Sequence, residues 1–138
     1  MPALEPVQGV RVVASPEALD RAVWDPEDVT IVWRFAPDDA FGWRAGSPET
    51  SVSLDDPHAI IELEHGFCGA YLMPADAEEL RRQCEFEWPA ERPALVQGNV
   101  AGVPVKIWLA DFASGDCLLV AAAYAAELAT RLGWSRLR

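Results

Sequence analysis

Lysine occurs once in these 138 residues, histidine twice and cysteine three times, and the longest uncharged apolar run, 117–126, is ten residues. Each scarcity excludes something. A bilayer-spanning helix needs about 20 apolar residues, so no transmembrane helix is expected. The opening MPALEPVQGV has neither the basic start nor the apolar stretch of a secretory leader; a soluble, cytoplasmic protein is the expectation. Cys68, Cys84 and Cys117 are odd in number and far apart, unlike the dense, even sets of disulfide scaffolds. They read as reduced, structural thiols. The eleven basic residues include ten Arg, which reads as codon usage, and they form no basic stripe. Such a chain is poorly matched to phosphate backbones and anionic headgroups, so neither nucleic acid nor membrane is an expected partner.

Catalytic signatures are missing as well. There is no Gly-x-Ser-x-Gly, His-Glu-x-x-His, Cys-x-x-Cys, Asp-rich calcium loop or glycine-rich phosphate loop. The nearest approach to a metal cluster is His58, Glu62, Glu64, His65 and Cys68. On an extended strand Glu62 and Glu64 share a face with His58 by parity, while His65 lies on the other. A zinc ion needs three or four converging ligands, and this spacing does not supply them. A Cys–His dyad using Cys68 fits the sequence no better than inert core cysteine does. No cofactor, metal or catalytic residue is therefore assigned, and the chain reads as non-catalytic.

What is present is acid. Twenty-two Asp and Glu give a net charge of −11 and a pI near 4.4. Nineteen acids against seven bases fall in residues 1–100, and three against four in 101–138. With 51% apolar and 24% charged residues the composition is that of a folded domain, and its length suits a single core.

Periodicity places the elements. A strand at Gly9–Ala14 is followed by a helix opened by Ser15-Pro16-Glu17, with a hydroxyl cap, a proline at the first position and an acid at the positive end. That helix is expected to run to Asp25-Pro26 with Leu19 and Val23 on one face. Val29–Ala36 is the clearest strand, rich in β-branched and aromatic residues. Residues 37–57, with three prolines, two glycines and five acids, read as a long hairpin or surface loop with short strands at Phe41–Ala45 and Ser51–Leu54. Ala59–His65 and Phe67–Met73 read as two strands turning at His65-Gly66. Pro74–Cys84 is a helix burying Ala77, Leu80 and Cys84. Strands follow at Ala94–Gly98, Val103–Leu109 and Cys117–Val120, with turns at Asn99–Gly102 and Ser114-Gly115-Asp116. A helix at Ala122–Leu132 carries a stripe of Tyr124, Leu128 and Leu132 and is capped by Gly133.

These elements predict a single α+β domain: a mostly antiparallel sheet of six to eight short strands with about three short helices. The order strand, helix, strand, strand appears at 9–45 and again at 67–109. A weak internal β-α-β-β duplication explains it, and so does the ordinary chemistry of helix starts such as SPEALDR and MPADAEELRR.

Six tryptophans stand out against the acidic background. Trp33 falls on the apolar face of the strongest strand. Trp43, amid acids, and Trp88, between Glu87 and Pro89, have no periodicity to bury them. Aromatic rings among carboxylates suit organic cations and basic protein surfaces. The expected contact surface is therefore Trp43 with Asp38 and Asp39, and after it Trp88 with Glu87, flanked by Glu85 and Glu91. Two functions fit: a non-catalytic module docking on a basic protein surface, of inhibitor, immunity or adaptor type, or a domain binding a small cationic or aromatic ligand in a Trp/carboxylate pocket.

Overall fold

The computed structural model describes residues 2–112 and 115–136, the side chain of Arg136 excepted. Among the described residues antiparallel strands predominate, with four short α-helices. Contacts divide the chain into two compact units, one of Val7–His65 and one of Met1–Pro6 with Gly66–Arg138.

In the Val7–His65 unit, β1 (Ala3–Val13, shared with the other unit) leads to α1 (Pro16–Asp20). The Ser15 hydroxyl accepts from the Ala18 N–H at 3.2 Å, as the sequence requires of an N-cap. The helix is shorter than periodicity suggests. It ends at Asp20, and Val23–Trp24 form β2, leaving Val23 exposed. Then come β3 (Ile31–Ala36), β4 (Asp39–Trp43), α2 (Pro48–Ser51) and β5 (Val52–Ser53), which pairs with β2. β4 lies between β3 and β1, antiparallel to both. One face of this sheet carries Val10, Val12 and Ala40, which pack with Ala18, Leu19 and Val29.

The short strand expected at Phe41–Ala45 is present as β4, beginning two residues earlier; what differs is that it lies between two partner strands and not in a surface loop. Asp39, Phe41 and Trp43 share one face and Ala40 and Gly42 the other. The small residues disguise the alternation. A Cβ at Gly42 would lie 2.6 Å from the Trp24 ring, so only glycine lets that indole reach the strand.

β6 (Ile60–Leu72) is continuous through His65-Gly66, where two strands and a turn were expected. A two-residue hairpin needs positive φ, and among the described glycines positive φ occurs at Gly102 and Gly133.

In the second unit β6 is followed by α3 (Pro74–Gln83), β7 (Ala94–Val100), β8 (Val103–Leu109) and β9 (Asp116–Ala121). After a 3-10 turn at Ala122–Tyr124 come α4 (Ala125–Leu132) and β10 (Ser135–Arg136), which pairs in parallel with the start of β1. The order is β6-β9-β8-β7, all antiparallel. Val103, Val105, Ile107 and Leu109 are buried as the alternation predicts, together with Leu80 and Leu128. α4 buries Ala125, Leu128 and Ala129, while Tyr124 is exposed. The turn expected at Ser114-Gly115-Asp116 begins outside the described residues. The strand-helix-strand-strand order recurs, but its pairing does not: β4 closes its hairpin against β1, whereas β8 pairs with β9. Among the described residues, no helix is long and apolar enough to cross a membrane.

Candidate functional site

Trp43 is 1% exposed and stacks on Trp33 with ring centroids 5.7 Å apart and planes 18° from parallel. It is a core side chain, which corrects the expectation that this aromatic has no core face to join. Asp39, on the same face of β4, is held by Arg11 through Nε–Oδ1 at 2.5 Å and Nη2–Oδ2 at 2.6 Å. Arg11 also donates to Glu64 at 2.8 Å and lies over the Phe35 ring. Hydrogen bonding to Asp39, chiefly, pushes the guanidinium pKa up. Asp38 is exposed between β3 and β4, and its carbonyl accepts from the Ala14 N–H. The three residues expected to make one surface thus have separate structural positions: one in the core, one in an ion pair, one at a turn.

Trp88 is placed differently. It follows α3 in the segment leading to β7, half-buried, with its inner part against the second unit's core. Its indole N–H donates to Cys84 Sγ at 3.4 Å, and Cys84 Sγ–H donates to the Leu80 carbonyl at 3.4 Å. The ring is therefore tethered to the C-terminus of α3.

Two grooves meet at this indole. The first, of about 590 Å³, runs between the start of α3 and the β8–β9 connection, with Leu72, Pro74, Ala77, Pro89 and Phe112 supplying apolar surface. The second, of about 740 Å³, lies beside Cys84, Phe86, Glu85 and Glu87. Trp88 and Arg81 border both. The arginines are held locally. Arg81 pairs with Glu78 at 2.9 Å and Arg82 with Glu79 at 3.0 Å. The hydrogen bond from Arg81 holds the Glu78 carboxyl below its usual range. Arg92 reaches Asp116 at 3.2 Å and the Ala110 carbonyl at 3.3 Å. Glu85, Glu87 and Asp111, all exposed, have no ion pair among the described residues. The grooves therefore combine aromatic and proline surfaces with carboxylates that local cations leave uncompensated.

The sequence pointed to Trp88, Glu87 and Glu85 because acids flank a tryptophan and a proline. It gave no sign of Phe112, Asp111 or Pro74, which join the site only when separated segments fold together. Phe112 is 68% exposed, an uncommon setting for an aromatic.

The cysteines offer no reactive group here. Burial pushes the Cys84 thiol up, against a smaller lowering by the Trp88 N–H, and a raised thiol is a poor nucleophile at neutral pH. Cys68 and Cys117 are buried. His58 and His65 are exposed, and no group of three or more His, Cys, Asp or Glu among the described residues is arranged to hold a metal ion.

No protein-family model matches the chain, and no curated protein matches it in sequence.

Proposed function

We propose that this protein is an acidic, non-catalytic docking module that engages a basic protein partner through the Trp88 grooves. The observation that carries the reading is a tethered, half-buried indole bordering two open grooves, with Glu85, Glu87 and Asp111 uncompensated around it. A rigid aromatic anchor with a polar rim is the usual composition of an energetic centre in an interface. The excess of acid over the chain steers basic partners toward the surface and repels nucleic acid and anionic membranes.

The test is selection from a displayed library of short basic peptides at about 150 mM salt, where the Debye length is about 8 Å. Binders are expected whose affinity falls at least about tenfold, or 1.4 kcal/mol, in the doubly substituted Glu85→Gln, Glu87→Gln chain. Absence of binders, or binders indifferent to both substitutions and to Phe112→Ala, would overturn the reading.

A second reading, a small organic cation on the Trp88 face, is supported by groove volumes within the range of small-molecule sites, roughly 300–1,000 Å³. Tetramethylammonium tests it directly: saturable binding lost in the Glu85→Gln, Glu87→Gln chain would favour the ligand over the protein partner.

A further inference from the structure

The two aromatic side chains that border the first groove, Trp88 and Phe112, are each held by one neighbouring residue. Trp88 is held through its only donor. The indole N–H reaches Cys84 Sγ at 3.4 Å, and the thiol donates in turn to the Leu80 carbonyl at 3.4 Å. The backbone fixes Cys84 itself. It bridges Val100 in antiparallel fashion, and the next residue, Glu85, donates its N–H to the Asn99 carbonyl at 3.4 Å. An indole without such a bond is free to turn among several rotamers.

Phe112 is 68% exposed, yet its ring is seated. Its Cε2 and Cζ atoms stand over Gly115, where an added Cβ would lie 2.6 Å from both. A side chain at 115 would therefore displace the ring. The connection that carries Phe112 is closed at its base. The Gly115 N–H donates to the Phe112 carbonyl at 3.4 Å and the Ala110 N–H to Asp116 at 2.8 Å, while Arg92 spans the Ala110 carbonyl and the Asp116 carboxylate. Burial does not account for a ring this exposed; what its seat preserves is an orientation.

We infer, resting on the docking reading above, that the first groove is pre-formed and that Cys84 and Gly115 are its positioning residues. They set Trp88 and Phe112 before a partner arrives. A partner that meets rings already ordered is spared the loss of their rotamer freedom, about two- to tenfold in affinity for each side chain. The Trp88 N–H is engaged inside the chain, so the partner meets this indole through its ring. A cationic group suits such a ring, with the exposed Asp111 beside Phe112; a carbonyl or carboxylate seeking the N–H does not.

The experiment measures the affinity of a library-selected basic peptide for the intact chain and its variants. Cys84→Ala removes the acceptor and should weaken binding about three- to tenfold, the scale of one neutral hydrogen bond. Cys84→Ser keeps a group that accepts from the indole and donates to Leu80, and should restore most of the loss. Gly115→Ala should weaken binding by a similar factor. It is also made together with Ala110→Gly, because the Ala110 Cβ is the other close atom, at 2.7 Å; the weakening should survive that relief. In the Phe112→Ala chain, Gly115→Ala should change affinity by less than about twofold, the usual limit of additivity.

Parent affinity in either Cys84→Ala or Gly115→Ala overturns the inference and leaves the docking reading standing. Equal weakening by Cys84→Ala and Cys84→Ser does the same, and so does a Gly115→Ala effect undiminished in the Phe112→Ala chain, since either marks a general disturbance of the fold. Failure of the basic library to yield binders overturns the docking reading and this inference together.

Discussion

Trp43 and Asp56 show how single residues hold the Val7–His65 unit together. Trp43 is 1% exposed and stacked on Trp33, so Trp43→Ala removes a large buried ring and leaves a cavity. Truncations of this kind cost about 3–5 kcal/mol, and a large drop in Tm is expected in thermal melts. A melting temperature equal to the parent's would show that Trp43 is not a core residue. Asp56 works by a different route. Its carboxylate accepts from the backbone N–H groups of Ser15 and His58, both at 2.9 Å, tying the start of α1 to the segment before β6. The Ser15 bond first, then the His58 bond, holds the carboxyl below its usual range. Because folding lowers this pKa, the stabilisation is present above the unfolded value of about 3.9 and is lost as pH falls through the folded one. Asp56→Asn should therefore lower Tm at neutral pH and lose part of the acid-side decline. Identical melting curves for both proteins from neutral pH into the acid range would contradict this.

At the scale of elements, strands are set by what packs on each face, and this is where the sequence was easiest and hardest to read. β8 was legible because Val103, Val105, Ile107 and Leu109 alternate with polar or half-exposed residues and all four are buried. α3 was legible from its opening proline and its order of acids before arginines, and the end of α4 from its Gly133 cap, local signals that need no distant partner. β4 was legible only in part, as a short strand at Phe41–Ala45 within a loose segment. One of its faces carries Ala40 and Gly42, with Gly42 bare where Trp24 packs on the backbone, and no local signal records a contact from eighteen residues away. The same limit applies to the site. Trp88 and its acids are contiguous and were visible, whereas Phe112 and Asp111 arrive from the β8–β9 connection. Gly42→Ala tests the account of β4. A methyl 2.6 Å from the Trp24 ring must displace the indole, at an overpacking cost of about 1–3 kcal/mol. Recovery in the Gly42→Ala, Trp24→Leu double variant, relative to Trp24→Leu alone, would show that the clash is with that ring. A Gly42→Ala protein as stable as the parent would contradict the account.

For the whole molecule, the proposed docking gives charge and anchor separate roles. The net charge of −11 would act over the Debye length and govern encounter, while contacts at Trp88 would govern how long a partner stays. Raising salt from about 50 to about 300 mM should therefore slow association of a selected basic peptide much more than it speeds dissociation. A dissociation rate carrying most of the salt dependence would contradict this division. The central claim is that docking occurs at Trp88 and not at the buried Trp43. Its most direct test is the set of indole N–H resonances in a nitrogen-15 labelled chain titrated with a library-selected basic peptide. A saturable shift of the Trp88 resonance, whose N–H is held by Cys84, is expected, with Trp33 and Trp43 unmoved. Saturation of binding with Trp88 unmoved, or with Trp43 shifting in its place, would contradict it.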